Sequence, residues 1–186
     1  MASIIKANQL QDFGGNSIIT SDGAGTITLS SGMNTAVAVG TNNTPAFGVY
    51  LNANQSLSNS TVTKITFNSE YYDSNSAFDV SSNRFTVPTG KAGKYYFHST
   101  FRYDNGGSYE ISNMIYKNGS ALIKTRMKCN ASVETVLASA VLDLAESDYI
   151  EIFGLQNQGG SVTVNGDTNG TDSVTAKFFG YKLIGA

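Results

Sequence analysis

Tryptophan is missing from this chain, histidine and cysteine occur once each, and proline occurs only twice in 186 residues. The lone Cys129 excludes an internal disulfide, so stability has to come from packing and from assembly. With no second cysteine and no histidine near it in sequence, Cys129 makes no recognisable zinc site and reads as a half-buried thiol. The lone His98 is the only base available to a Ser/His/Asp or Cys/His machinery. Its mid-strand place between Phe97 and Phe101 suits packing or an interface instead. Charge is also scarce: Asp, Glu, Lys and Arg make up 14% of the chain, the net charge is −2 and the pI is near 5.3. Such a surface offers no basic field to a phosphate backbone, so nucleic acid is not expected as a partner. No apolar run approaches a membrane span, and MASIIKANQLQDFGGNS lacks the apolar core of a secretory signal. Synthesis in a cytoplasm, with no membrane insertion, is the expectation.

What is present is material for strands. Hydrophobic residues reach 40%, enough for one domain with a short appendage, and glycine, asparagine, serine and threonine supply turns. The organising stretch is Arg84 to Tyr103, RFTVPTGKAGKYYFHSTFRY. Its second run places Tyr95, Phe97, Ser99, Phe101 and Tyr103 on one face and Tyr96, His98, Thr100 and Arg102 on the other. A half-buried strand turns its polar residues outward, so the aromatic second face here calls for a cover, such as another subunit. The other strands are placed at 46–51, 62–67, 77–80, 84–87, 109–117, 120–128, 132–144, 148–156 and 174–184, with an Asn-Gly turn at Asn118-Gly119. That pattern is an all-β sandwich or barrel.

Residues 1–33 differ. Ser17 to Thr20 and Thr26 to Ser30 form an expected hairpin around Asp22-Gly23, with Ile18, Ile27 and Leu29 as its apolar positions. This is too little apolar surface for an independent core, so the segment reads as an attachment arm, followed by a short strand (33–39) and linker within 34–44 and the main domain at 45–186.

The pattern R-F-x-V-P-x-G-x-x-G-x-Y-Y-F resembles the signature of the complement C1q globular head, whose wider family includes tumour necrosis factor. PAFGVYL at 45–51, KITFNSEYYDSNSAFD at 64–79, ISNMIYKNGSAL at 111–122, SAVLDLAESDYIEIFG at 139–154 and AKFFGYKLIGA at 176–186 follow the same resemblance in order. It implies an antiparallel ten-stranded jelly roll that forms a homotrimer and binds rather than catalyses. The trimer face is then expected to include Phe47, Tyr50, Tyr96, His98, Phe178, Phe179 and Tyr181. NSIITSDGAGTITLSSG resembles the beginnings of structural proteins of tailed, particularly marine, bacteriophages.

Few residues point to other chemistry. Asp143, Glu146, Asp148 and Glu151 gather at a turn and read as solvated hairpin ends. Asp167, Asn169 and Asp172 offer oxygen ligands on a loop that calcium could use, though the downstream Glu of an EF-hand is missing. The N-x-S/T triplets at Asn42, Asn54, Asn59, Asn118, Asn130 and Asn169 follow by chance from the composition.

Together these observations favour a non-enzymatic virion component, a trimeric capsid decoration or cement protein held through its arm to the major capsid protein or the tail, assembled in the host cytoplasm and carried on the virion surface. A tail-fibre or receptor-binding head recognising a host glycan or protein is the alternative, and a C1q-like cell-surface adhesin the second. The start at Met1 favours decoration over a fibre tip. Limited proteolysis of the free chain is expected to cut between about 30 and 45 and leave a compact remainder; a full-length chain that resists the protease would contradict the arm.

Overall fold

A computed structural model describes residues 9–21, 24, 27–29, 43–104, 107–130, 133–167 and 176–184. The chain divides into two compact units, Met1–Asn42 and Asn43–Ala186. In the first, β1 (Gln9–Gln11), β2 (Ser17–Ser21) and β3 (Ile27–Leu29) make a three-stranded antiparallel sheet. Ile19 lies opposite Leu29 and Ser21 opposite Ile27, which is the expected hairpin, and β1 adds a strand that the polar triplet Gln-Leu-Gln did not announce. Leu10, Phe13 and Ile27 are exposed in this unit. The expected short strand at 33–39 lies outside the described residues.

The second unit is an antiparallel sandwich of two sheets. One holds β4 (Ala46–Tyr50), β5 (Gln55–Leu57), β7 (Ser69–Asp73), β10 (Gly93–Asp104), β13 (Val133–Leu144), β15 (Val162–Val164) and β16 (Lys177–Lys182). The other holds β6 (Thr63–Lys64), β8 (Phe78–Asp79), β9 (Arg84–Thr86), β11 (Tyr109–Lys117), β12 (Ser120–Cys129) and β14 (Tyr149–Gln156). All ten expected strands are present. Three more, β5, β7 and β15, were not foreseen, because QSL and SEYYD lack an alternating apolar face and VTV is too short to announce itself.

β10 is the axis of the first sheet. β13 pairs along one edge from Gly93–Leu144 to Asp104–Val133, while β16 and then β15 share the other. Its odd-numbered residues from Tyr95 to Tyr103 are all buried between the sheets. There Phe47 stacks on Phe85 at 5.0 Å and meets Phe178 edge-on at 4.9 Å, with Phe67, Phe78 and Phe97 filling in around them. Such offset and edge contacts add to the area these rings remove from water. Polar groups inside bridge the two sheets: Tyr103 Oη donates to the carbonyls of Ser112 and Leu155, and Asn113 Nδ2 donates to the carbonyl and hydroxyl of Ser99, while Asn113 Oδ1 is buried without a hydrogen-bond partner.

Amide side chains tie down the loops. Asn157 Oδ1 accepts from Glu110 N at 2.7 Å, Asn59 Oδ1 from Gly159 N at 2.8 Å, Asn54 Oδ1 from Gly166 N at 2.9 Å, and Asn118 bridges Asp148 and Tyr149 N. Three of the N-x-S/T asparagines, Asn54, Asn59 and Asn118, thus have structural work. The abundance of asparagine reflects turns closed by amides rather than by charges.

Gly180 shows how tight the core is. It lies between Phe47 and Phe97 in the cross-strand row, and a Cβ there would come 2.5 Å from the Phe97 ring and 2.9 Å from the Tyr96 carbonyl oxygen. Neither a packed ring nor a strand backbone yields cheaply. Gly180→Ala is therefore expected to destabilise the fold by about 1–3 kcal/mol in urea unfolding, and an unchanged midpoint would contradict this packing.

Candidate functional site

The even-numbered residues of β10 open onto the outer face of the first sheet, and strand register assembles them with their neighbours into cross-strand rows. One row runs Tyr72, Gly48, Phe179, His98, Ser139; the next Ala46, Tyr181, Tyr96, Val141; the third Tyr50, Lys177, Thr100, Leu137. His98 stacks on Phe179 with centroids 4.9 Å apart, and Tyr96 meets Tyr181 at 5.5 Å. At the β4–β7 edge the register shifts between Gly48 and Val49, a bulge that leaves Tyr71 as the extra residue beside Tyr72. Tyr71 stacks on Tyr50 at 4.5 Å, and the Tyr72 ring lies where a side chain on Gly48 would stand. Leu137, Val141 and Tyr72 remain 52%, 58% and 54% exposed. The face is thus a continuous aromatic and aliphatic surface with Lys177 as its one charge among these rows. Burial among the rings holds the His98 imidazole below its ordinary pKa.

Not every residue expected on a trimer face lies on this outer surface. Phe47 and Phe178 are 0% and 1% exposed and belong to the monomer core. The two-residue period sends their side chains inward, so they are corrected out of the set. Tyr50, Tyr96, His98, Phe179 and Tyr181 are half-buried on the outer face. Leu137, Val141, Tyr71 and Tyr72 share this outer face and were not named from the sequence. β13 has small or polar residues between its leucines and valines, and the bulge that exposes both tyrosines has no sequence signal. In the arm, Ile18 is half-buried, Ile27 is exposed and Leu29 lies in β3.

The other candidates resolve into structural roles. Cys129 is fully buried in the core rather than half-buried, because it ends β12 facing the other sheet opposite Tyr109. Three of the four carboxylates at the expected hairpin ends make side-chain contacts rather than being simply solvated. Glu151 is 9% exposed and pairs with Lys64 at 2.5 Å, and Asp148 pairs with Lys117 at 2.8 Å while accepting from Asn118 Nδ2 and Ala145 N. Glu146 accepts from Gly90 N. Of the calcium candidates, Asp167 is half-buried with its N–H donating to the Leu51 carbonyl, while Asn169 and Asp172 lie outside the described residues. Among the described residues no group of three or more His, Cys, Asp and Glu could hold a metal ion. No helix there is long and apolar enough to cross a membrane.

A family model described as the C1q domain matches residues 46–181. Among solved structures, the globular domain of a zebrafish complement 1qA protein is similar at 20% identity, with 75% of this chain and 97% of that one covered and a TM-score of 0.50. The Eiger TNF of S. frugiperda aligns at 12% identity over 76% of this chain and 93% of that one, TM-score 0.53. Murine APRIL aligns at 12% identity over 74% and 98%, TM-score 0.54. No curated protein matches the sequence.

Asp148 carries a pH dependence. The Lys117 hydrogen bond, then Asn118, lower its pKa from 3.8 to about 2 in the folded chain. A depressed carboxyl pKa stabilises the fold above the unfolded value and loses that contribution as pH falls through the folded one. Unfolding free energy is thus expected to drop between about pH 4 and about pH 2, and Asp148→Asn should flatten part of that slope in acid titrations of stability. Superimposable slopes for both proteins would contradict the assignment.

Proposed function

Because the chain belongs to the C1q domain family, we propose that it works by assembly rather than catalysis: a homotrimer formed through the outer face of the β10 sheet and mounted on a larger particle through its N-terminal unit. The observation that carries this reading is the outer face itself. Its three rows hold six aromatic rings with Leu137 and Val141 and only one charge, Lys177. Monomers rarely leave a contiguous apolar patch of this kind in water. The opposite sheet has no such need, since Met114 and Ser112 on its outer side are already buried and Lys124, Arg126 and Lys128 face solvent beside them.

The mounting is supported by the composition of the first unit. Exposed Leu10, Phe13 and Ile27 on a small sheet suit a surface completed by an attachment partner. The resemblance of NSIITSDGAGTITLSSG to phage structural proteins makes a capsid or tail the partner of this proposal, with the protein as a decoration on the virion surface. A receptor-binding head for a host glycan or protein would use the same trimer with its loops as the working end.

Light scattering is expected to give a trimer of the 19.7 kDa chain, and Leu137→Lys with Val141→Lys a folded monomer by circular dichroism. A wild-type chain that stays monomeric at micromolar concentration overturns the trimer. Deleting residues 1–33 should leave a folded trimer that no longer joins particles; normal occupancy of the deleted protein overturns the mounting. Substitutions in loop 156–160 should spare both incorporation and host adsorption for a decoration, whereas a receptor-binding head would lose adsorption.

A further inference from the structure

The chain's only histidine lies in the middle row of a face that has almost no charge. We propose that His98 makes the trimer acid-labile: neutral, it packs inside the subunit interface, and protonated, it drives the subunits apart. The proposal rests on the trimer reading of this face, and it adds a mode of regulation to that reading.

The geometry supplies the reason. On its own strand His98 is flanked on the outer face by Tyr96 and Thr100, with Lys94 and Arg102 beyond. Across β13 it faces Ser139, with Leu137 and Val141 diagonal, and Asp143 and Thr135 further out. Across β16 it faces Phe179, with Lys177 and Tyr181 diagonal. Past β16, β4 presents Gly48 and Tyr50, and β7 covers Gly48 with Tyr72. No carboxylate stands at any opposite or diagonal position. The acidic groups lie at the ends of the face, where Asp143 is opposite Lys94 and Asp104 pairs with Arg102 at 3.6 Å. An imidazolium closed into this surface would therefore have an aromatic ring on one side, Lys177 nearby and no counter-charge. A desolvated cation without a partner is among the costliest things an interface can hold. Phe179 does not rescue it, since a stacked ring offers a cation far less than water does.

The sign follows from linkage. The free subunit already disfavours the charged imidazole by partial burial. Further burial on association lowers its pKa again, so assembly is fully favourable above the subunit's value and loses strength as pH falls below it. Each imidazole that must shed its proton weakens association up to about tenfold per pH unit, and three per trimer up to about a thousandfold. The ordinary carboxyl range, at about 4, lies below the ordinary imidazole value of about 6.5, which separates this effect from acid unfolding.

Sedimentation velocity of the full chain at about pH 8 and at about pH 5, the second set well below the ordinary imidazole value of about 6.5 because partial burial already lowers that of His98, is the test. The wild type is expected to pass from trimer to monomer on acidification with its circular dichroism unchanged, and His98→Gln to stay trimeric at both values. A wild-type trimer of undiminished affinity at the lower pH overturns the switch while leaving the trimer reading intact. A wild type monomeric at both values overturns the trimer reading and the switch with it. Dissociation of His98→Gln along with the wild type overturns the assignment to this residue. Should His98→Gln fail to fold, the proton resonance of the sole imidazole decides: its apparent pKa must be lower in concentrated, trimeric samples than in dilute ones, and equal values overturn the switch.

Discussion

The constraint on which this structure depends is that β10 is paired along both edges and carries aromatic rings on both faces. Pairing on each side fixes its register to β13, β16 and β15, so a one-residue slip would exchange the entire core row for the entire outer row. That exchange would be less costly here than in most strands, because the outer row also carries rings. Register is pinned by small differences instead. Ser99 accepts from the buried Asn113, Tyr103 reaches two carbonyls of the facing sheet, and Tyr95 donates to the Lys91 carbonyl. A one-residue slip in either direction would also carry Arg102 between the sheets, where a guanidinium would lose its water. The polar groups inside the sandwich therefore specify which aromatic row goes in.

Two glycines complete the arrangement, one for each face. Gly180 lets Phe47 and Phe97 approach across the inner row with centroids 6.4 Å apart, and Gly48 lets Tyr72 lie over the outer row beside Phe179. An aromatic residue at every position of adjacent strands would overfill the roughly 5 Å between them. Glycine at alternate sites allows both surfaces to be dense in rings without strain. The internal packing and the outer patch are thus products of the same strands and the same spacing rule.

Alternation in Lys94 to Tyr103 was strong enough in the sequence to give the central strand and both of its faces, and the turn residues gave the ten expected strands of the jelly roll. The side of each neighbouring residue was less legible. Phe47 and Phe178 lie on short strands, where a few residues give the period but not which phase is the inner one. Both fell on the core side. Leu137 and Val141 went unnoticed because Ser139 separates them, although the same alternation read along β13 points to them. The bulge in β7 is a backbone event, and the adjacent Tyr71-Tyr72 is compatible with an unbroken strand. Glu151 and Cys129 were misjudged for a different reason: burial of a carboxylate depends on Lys64, 87 residues away, and such pairings leave no trace in local pattern.

Scarcity of charge has one further consequence for the two sheets. Four ion pairs are present among the described residues, and three of them, Lys64–Glu151, Lys117–Asp148 and Arg126–Glu110, belong to the second sheet or its hairpin ends. That sheet resolves its own outer surface: long basic stems stand beside buried Met114, and Tyr116 packs on Phe153 at 4.1 Å. The first sheet keeps its one ion pair, Arg102–Asp104, at the rim. Gathering the ion pairs on one side, and keeping the charges of the other side apart from Lys177 to strand ends and the β7 edge, leaves the middle of the first sheet able to give up water, since desolvating rings and aliphatic groups costs nothing comparable to desolvating ions. The asymmetry between the sheets, more than the abundance of aromatic residues, is what singles out the β10 sheet as the side that a partner subunit would cover.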